Sequence, residues 1–563
     1  MRWEAKELPT KSIIEKLQKE VQVSQVIATL LAQRSIEDFA SAKQFFRPQW
    51  EDLHDPFLMK DMDNAVNRIS KAIENHEKIM VYGDYDVDGT TSVALMTSFL
   101  KEHTEEVTPY IPDRYQEGYG VSYAGIDAAY EQNITLIIAL DCGIKAHAKV
   151  TYALDKGIDF IICDHHLPGA SLPNAKAVLD PKRKDCTYPY DELCGCGVGF
   201  KLLQALSIRW SLEEATLYPY LDLVATAIAA DIVPIDGENR TLCFFGINQL
   251  RTAPRHGIGV FLKELKSEVT ITDLVFKVAP RINAAGRMEH ALTAAHMLMS
   301  NEKEDINRLS EAIETFNTER RTTDQRITQE AINQIVNNNE EDCFSTVVYN
   351  EDWHKGVVGI VASRLIETYY RPTVVLTRSG DDYVGSVRSV KGFNVYDALS
   401  ACKSFMTQFG GHKYAAGLTL HKDQLIAFKK AFEEKVSQSI LPNQKEPVLQ
   451  YDYNLTIDNV DTKLFRIIEQ MGPFGPNNMR PVFLSENCID SGHTKVVGKD
   501  NTHLRLSVQT EKGPLVGIGF GLAEFFPAIK KGNAFDLLYT LDKNQWNGKT
   551  TLQLKIKDLR IRP

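Results

Sequence analysis

In "VYGDYDVDGTT", residues 81–91, an aspartate stands at every second position behind an apolar run. In an extended segment, residues two apart share a face and lie ~6.5 Å from one another. Asp84, Asp86 and Asp88 would then repel each other unless something positive lay among them. An acidic loop, solvated or capping the helix that "TTSVALMTSFL" begins, is the plainer reading of this stretch alone. Similar groups recur further on. Asp141 closes "LIIAL", Asp164, His165 and His166 close "FIIC", and Asp231 closes the run that starts near Leu221. Four run endings that together supply six aspartates and two adjacent histidines argue against accident. Carboxylates with imidazole, and no thiolate among them, suit Mn²⁺ or Mg²⁺ better than copper or an iron–sulfur cluster. So many donors can hold two ions, and a pair of ions can neutralise a phosphodiester and stabilise its leaving oxygen. The chemistry that follows is phosphoryl hydrolysis.

The elements that must position these groups are legible as alternation. From about 78 to 235, "KIMVYG", "TLIIALDCG", "DFIICDHH", "AKAVLDP" and "YPYLDLVATAIAADIVP" are separated by helical segments. This pattern predicts a mostly parallel sheet with helices on both faces, whose strand ends gather ligands in one crevice. Residues 301–339 lack Gly and Pro, and Ile306, Leu309, Ile313, Phe316, Ile327 and Ile335 approximate helical spacing, which predicts a long connecting helix. A second α/β domain begins near 341 with "FSTVVYN" and contains "WHKGVVGIVASRL", "VGSVRS" and "FGGHKYAAG". Short alternating segments after 480, among them "HLRLSVQ", "LVGIGF" and "TLQLKIKDLRIR", predict a small β-barrel. The expected division is an amino-terminal segment over 1–55, a catalytic α/β domain over 56–300, a connecting helix over 301–340, a second α/β domain over 341–437, a linker or wrap over 438–480 and the barrel over 481–563.

Bulk composition narrows the function classes. A chain of 563 residues, 43% hydrophobic, can bury several cores. The amino-terminal stretch is charged throughout, and no apolar run is long enough to span a bilayer, so neither a secretory leader nor a membrane anchor is expected. Nine cysteines without a framework of spacings suggest reduced thiols and a cytoplasmic protein. Cys186, Cys194 and Cys196 cluster, but no fourth ligand stands at zinc-site spacing. The net charge of −10 argues against a surface that binds nucleic acid everywhere. Residues 491–563, however, hold 12 Lys/Arg against 6 Asp/Glu, as expected of a separate anion-binding module on an acidic body.

"DYDVDG", "DCG", "DHH" and "ADIVP", in this order, resemble the successive motifs of the DHH phosphoesterases. The second domain resembles the DHH-associated domain, DHHA1. "PRINAAGRM", "WHKGVVGIVASRL", "SVRS", "GGH" and "PFGPNNMRPVF" resemble the RecJ family of single-strand-specific 5′→3′ DNA exonucleases. The likeness runs from about residue 50 to the end. It implies DHH and DHHA1 domains joined by the long helix around a central cleft, with the carboxyl-terminal barrel an OB-fold that guides single-stranded DNA.

The resemblance implies metal-ligand roles for Asp86, Asp88, Asp141, His165 and Asp231, with Asp141 bridging two ions. His166 would touch the scissile phosphate, and Asp164 would orient a histidine unless it only caps a helix. Other DHH enzymes carry a histidine at the position of Tyr82, which makes Asp84 the substitute ligand. Arg281, Arg287, Ser386, Arg388, Gly411 and His412 are expected to form a pocket for the 5′-terminal phosphate or nucleotide. Arg114 and Tyr119 are expected to grip the next phosphate and stack a base. Phe520, Phe525, Phe526 and Trp546 are candidate stacking groups, with core packing the simpler role for each. The implied activity releases 5′-mononucleotides in DNA repair and recombination, from a monomer working with a helicase and a single-strand-binding protein. An oligoribonuclease, another small-nucleotide phosphodiesterase of this fold, or a non-catalytic DNA-binding scaffold are the alternatives. The "PFGPNNMRPVF" stretch and the basic module favour a long polymer as substrate.

Overall fold

Five short runs of β-branched and aliphatic residues pair side by side, and each has apolar neighbours on both faces. A computed structural model describes residues 1–263, 265, 268–546 and 549–562, apart from the side chains of 545, 546 and 549. These runs are Lys78–Tyr82 (β1), Val107–Tyr110 (β2), Ile134–Leu140 (β3), Asp159–Cys163 (β4) and Ala177–Leu179 (β5). All neighbours are parallel, in the order β2-β1-β3-β4-β5. Ile137, Ile138 and Leu140 of the central strand are fully buried, each adding ~1.5–3 kcal/mol of burial. Parallel strands share a direction, so the residues that follow β1, β3, β4 and β5 all emerge at one edge.

This sheet belongs to the larger of two compact units, formed by Trp3–Pro112, Glu117–Ala279 and Gln450–Pro563. Its carboxyl-terminal part is a seven-stranded sheet. The strands are Tyr453–Asn454 (β11), Phe483–Cys488 (β12), Lys495–Val497 (β13), His503–Val508 (β14), Leu515–Gly519 (β15), Phe535–Trp546 (β16) and Lys549–Ile561 (β17). They run in the order β11-β12-β16-β17-β15-β14-β13. Its core is shared with the amino-terminal helices: Leu17, Ile27, Leu31 and Phe45 pack in one apolar cluster with Ile468, Phe483, Leu537 and Leu554. The stretch expected as a linker therefore contributes core. Helix Thr462–Gln470 buries Leu464 and Ile468 there.

The smaller unit is Met1–Arg2, Asp113–Gln116 and Pro280–Leu449. It carries a mixed five-stranded sheet of Thr346–Tyr349 (β6), Thr373–Ser379 (β7), Asp382–Arg388 (β8), Gln408–Gly411 (β9) and Ala415–His421 (β10). The order is β9-β10-β8-β7-β6. The predicted long helix is present as Lys303–Asn337. It lies wholly inside this unit, where Ile327, Ala331 and Ile335 pack with Val348, Trp353 and Val361. Its buried stripe turns polar in the middle, at Asn317 and Asp324, which apolar periodicity could not reveal.

Two local expectations are corrected. The run that ends in Asp231 is a helix, Leu221–Asp231, and not a strand. Its 11 residues include four alanines, a length and composition that favour helix over strand. The three aspartates of the first motif do not lie along one extended face either. Strand β1 stops at Tyr82, Asp86 is the N-cap of helix Val87–Lys101 with its side chain accepting from Gly89 N, and Asp88 sits in the first turn.

Candidate active site

At the edge where β1, β3 and β4 end, the backbone turns sharply and buries acids. Asp141 has φ +60°, a left-handed conformation rare for a residue with a Cβ and of a kind that clusters at functional sites. Asp88 is held by two backbone donors, Gly195 N at 2.6 Å to Oδ2 and Cys196 N at 2.8 Å to Oδ1. These open helix Gly195–Arg209, whose amino-terminal end favours a negative group. A Cβ on Gly195 would lie 2.5 Å from Asp141 Cβ, so only glycine lets the helix come this close. Sequence reading missed this anchor, although "CGCGVGF" at the start of an apolar helix marked it.

His165 joins the acids. Its Nε2 lies 3.1 Å from Asp141 Oδ1, 3.7 Å from Asp231 Oδ2 and 3.8 Å from Asp88 Oδ2. One donor atom each from Asp141, His165 and His166 fall within 4.8 Å of one another, and so do those of Asp88, His165 and Asp231. His165 belongs to both groups. Burial, and then the other carboxylates, push Asp88, Asp141 and Asp231 above the usual carboxylate range. Burial and His166 push His165 down, which leaves its imidazole neutral and able to donate a lone pair. Oxygen donors that repel one another around a neutral imidazole fit a divalent cation, which relieves the repulsion and replaces lost hydration.

Asp164 caps no helix. It accepts Ile144 N at 2.9 Å, His165 N at 2.8 Å and His166 Nδ1 at 2.7 Å. Burial alone would lower His166, but the hydrogen bond and charge of Asp164 outweigh it and hold the imidazole at about 8. Tyr119 OH stands 3.4 Å from His166 Nε2.

Asp84 and Asp86 fall outside both groups of converging donors among the described residues. Asp86 still adds to the charge that raises Asp88 and Asp141. Asp84 is fully buried and accepts its neighbour's N–H, Tyr85 N, at 2.8 Å. A Cβ on Gly89 would meet Asp84 O at 2.4 Å, which explains the glycine of "DYDVDG". Tyr82 faces away from the metal-type donors. Its hydroxyl donates to Gly120 O at 3.1 Å and accepts from Ser122 N at 3.1 Å, fixing the loop that carries Tyr119.

Cys194 and Cys196 are buried, and burial pushes both thiols well up. Cys194 Sγ accepts from Gly197 N at 3.4 Å as a helix cap. Cys194 thus caps the helix, and Cys196 packs within it.

The smaller unit gathers the opposite charge. Arg287 is driven down to about 10 by burial and then by Arg114, Arg388 and Arg320. Arg388 Nη1 donates to Ser386 Oγ at 2.8 Å. A Cβ on Gly359 would come within 3.1 Å of both Arg388 Nη2 and Ser386 Oγ, which places the first turn of helix Val358–Thr368 against them. Arginine forks, a hydroxyl and a helix amino terminus are the groups that can receive an anion. Behind it, the buried Asp324 carboxylate holds Arg364 at 2.7 Å and Arg320 at 3.2 Å. Neither Arg320 nor Asp324 was singled out from sequence. Arg281 is turned aside: its Nε donates to Glu314 Oε2 at 2.6 Å. Gly411 and His412 lie at the exposed β9–β10 turn, which His412 N closes onto Ala415 O at 2.8 Å. Among the described residues no hydrogen bond or ion pair ties His412 to the arginines.

On the carboxyl-terminal sheet, Phe520 is 60% exposed and meets His503 edge-on at 5.1 Å. Phe525 and Phe526 pack against the core. The side chain of Trp546 lies outside the described residues. No described helix is long and apolar enough to cross a membrane.

Three family models match the chain: the DHH family N-terminal domain over residues 78–228, the DHHA1 domain over 341–438 and the RecJ OB domain over 451–558. The single-stranded-DNA-specific exonuclease RecJ of Bacillus subtilis is 35% identical over 566 residues, covering 100% of this chain and 71% of that protein. The Escherichia coli protein of the same name is 31% identical over 528 residues, 89% of this chain and 90% of that one. Among solved structures, RecJ from Thermus thermophilus in complex with Mn²⁺ superposes with a TM-score of 0.84 at 25% identity, over 100% of this chain and 80% of that chain. An exonuclease RecJ bound to manganese gives 0.61 at 30% identity over 69% of this chain and 97% of that one.

Proposed function

The chain belongs to the RecJ family of single-stranded-DNA-specific exonucleases, and we propose that it degrades single strands from the 5′ end to 5′-mononucleotides with two divalent ions, Mn²⁺ or Mg²⁺. The observation that carries this reading is His165 Nε2 within 3.8 Å of carboxylate oxygens from Asp88, Asp141 and Asp231. Asp88, Asp141, Asp231 and His165 would hold the ions, His165 giving its Nε2 lone pair to one of them only, with His166 beside Asp141 and with Asp86 adding charge. Asp84, buried beside Gly89 and Tyr85, is kept as the substitute for the ligand that Tyr82 does not supply. When bound, the ions neutralise the phosphodiester and supply an activated water.

The protein's own groups do the rest. Asp164 accepts His166 Nδ1–H and raises its pKa, so that His166 would donate a hydrogen bond to the charge developing on the phosphate. Tyr119, held by the Tyr82-pinned loop, lies beside it to pack against the nucleotide. Arg287, Arg388 and Ser386, with the helix that starts at Val358, form a pocket whose charge and fork geometry suit a 5′-terminal phosphate. Arg114 extends it, while Arg320 is held behind it by Asp324 and Asn317. Glu314 takes Arg281 out of that role. Phe520 and the basic strands of the carboxyl-terminal sheet would stack and attract single-stranded DNA further along. On the resemblance alone, we propose a cytoplasmic monomer acting in repair and recombination with a helicase and a single-strand-binding protein.

Single strands labelled at either end and incubated with Mn²⁺ or Mg²⁺ test the reading. Release of mononucleotides from the 5′ end is expected. Release from the 3′ end, or turnover of dinucleotides only, would refute it.

A further inference from the structure

The motif "MGPFGPNNMRP" was expected to serve the polymer substrate, yet its polar atoms are spent on the protein itself. Among the described residues, buried Arg240 has no carboxylate partner. It donates to Met471 O at 3.0 Å, Gly472 O at 2.9 Å and Phe45 O at 2.8 Å, and stacks 3.8 Å over the Phe45 ring. Asn478 Nδ2 donates to Met471 O and Pro473 O at 2.9 and 2.8 Å, while its Oδ1 accepts Arg34 Nε at 2.8 Å. The turn is thus made rigid from within.

Its outer side reaches the segment that continues from Asp231. Pro476 O accepts Ile235 N at 2.8 Å, and a Cβ on Gly475 would lie 2.5 Å from Ile235 Cγ1. Asn477 Nδ2 donates to Asp236 Oδ2 at 2.8 Å, and Tyr190 OH donates to the other oxygen of that carboxylate at 2.9 Å. Asn239 Nδ2 donates to Glu192 O at 2.6 Å and Pro234 O at 3.0 Å. One knot therefore fixes the chain just after Asp231 and just before Gly195 and Cys196, whose N–H groups hold Asp88. Between Asp231 and this knot stands Ile232, a β-branched residue at φ +61°, a conformation that persists only where its surroundings impose it.

We propose that the turn Gly472–Met479, at the root of the carboxyl-terminal sheet, is a positioning element of the metal site. It sets Asp231 through Ile235 and Asp236, and Asp88 through Tyr190. The inference rests on reading Asp231 and Asp88 as metal ligands. Asn477 itself has φ +60°, so Asn477→Gly keeps the backbone and removes only the amide, and Asn477→Asp turns an attraction to Asp236 into repulsion.

The test is calorimetric titration of the full-length protein with Mn²⁺, with thermal unfolding and single-strand binding in EDTA measured in parallel. Asn477→Gly should weaken Mn²⁺ binding by about tenfold and Asn477→Asp by more, with DNA binding in EDTA unchanged. The exchange Asp236→Asn with Asn477→Asp should restore Mn²⁺ affinity. Parental Mn²⁺ affinity in both Asn477 variants, alongside a clear loss in Asp231→Asn, would overturn the inference and leave the ligand assignment standing. Parental affinity in Asp231→Asn would overturn the assignment and the inference together.

Discussion

The two units hold clusters of opposite sign, and each sign is gathered against its own repulsion. In the larger unit Asp88, Asp141 and Asp231 raise one another's pKa values. In the smaller, Arg114, Arg320 and Arg388 depress that of Arg287. Folding gains nothing from such crowding unless a ligand of the other sign completes it. Arg240 is the instructive contrast. It is buried and lowered to about 9, by burial first and also by Arg34, yet backbone carbonyls satisfy it, so it is a structural group. Arg287 has three arginines around it where Arg240 has Arg34 alone.

The strongest way to break the comparison is at the acids. Asp141→Ala should lower kcat by about 10³-fold or more while leaving single-strand binding in EDTA near the parental value. Digestion at the parental rate would remove the larger unit's cluster from the chemistry. Next come the arginines, compared by urea unfolding in the absence of ligand. Arg240→Leu strands several buried carbonyls and should cost about 3 kcal/mol, whereas Arg388→Ala relieves repulsion and should change stability by less than about 1 kcal/mol. Equal losses would show that the arginine cluster is structural after all.

Turnover should then separate Arg388 of the pocket from Arg281, the first arginine of "PRINAAGRM". On 5′-phosphorylated strands Arg388→Ala should lower kcat/KM by about 10²-fold, the worth of a charge-assisted pair. Arg281→Ala, whose partner is Glu314 at 2.6 Å, should stay within about threefold, as for a part-exposed ion pair. The smallest effect is expected on the carboxyl-terminal sheet. Phe520→Ala should weaken binding of long strands by about tenfold, one stacked base, and Phe525→Ala should act on stability instead. Point changes are the right tool there. That sheet shares its core with Leu17, Ile27 and Phe45, so removing residues 491–563 would strip apolar surface from the rest of the unit.

The acids were legible because parallel strands collect their ends at one edge, so "DYDVDG", "DCG" and "DHH" each carried their address in the sequence. Asp231 carried its residue type but not its element. Its neighbours form a helix, and only the fold brings the end of that helix to the strand ends. The role of Tyr82 was invisible for the same reason, since Gly120 and Ser122 lie about forty residues away in sequence.

The sequence by itself determined the parallel sheet, the long helix, the carboxyl-terminal β-domain and the hard-ion donor set, all of which follow from local periodicity and residue chemistry. Tertiary structure decided which charges meet a partner of opposite sign. Glu314 claims Arg281 while Arg287 is left among other arginines, and the turn Gly472–Met479 spends its polar atoms on Arg240, Ile235 and Asp236. A charge or an amide is fixed by its residue type, but whether it is free to meet a ligand depends on partners that only long-range contacts supply.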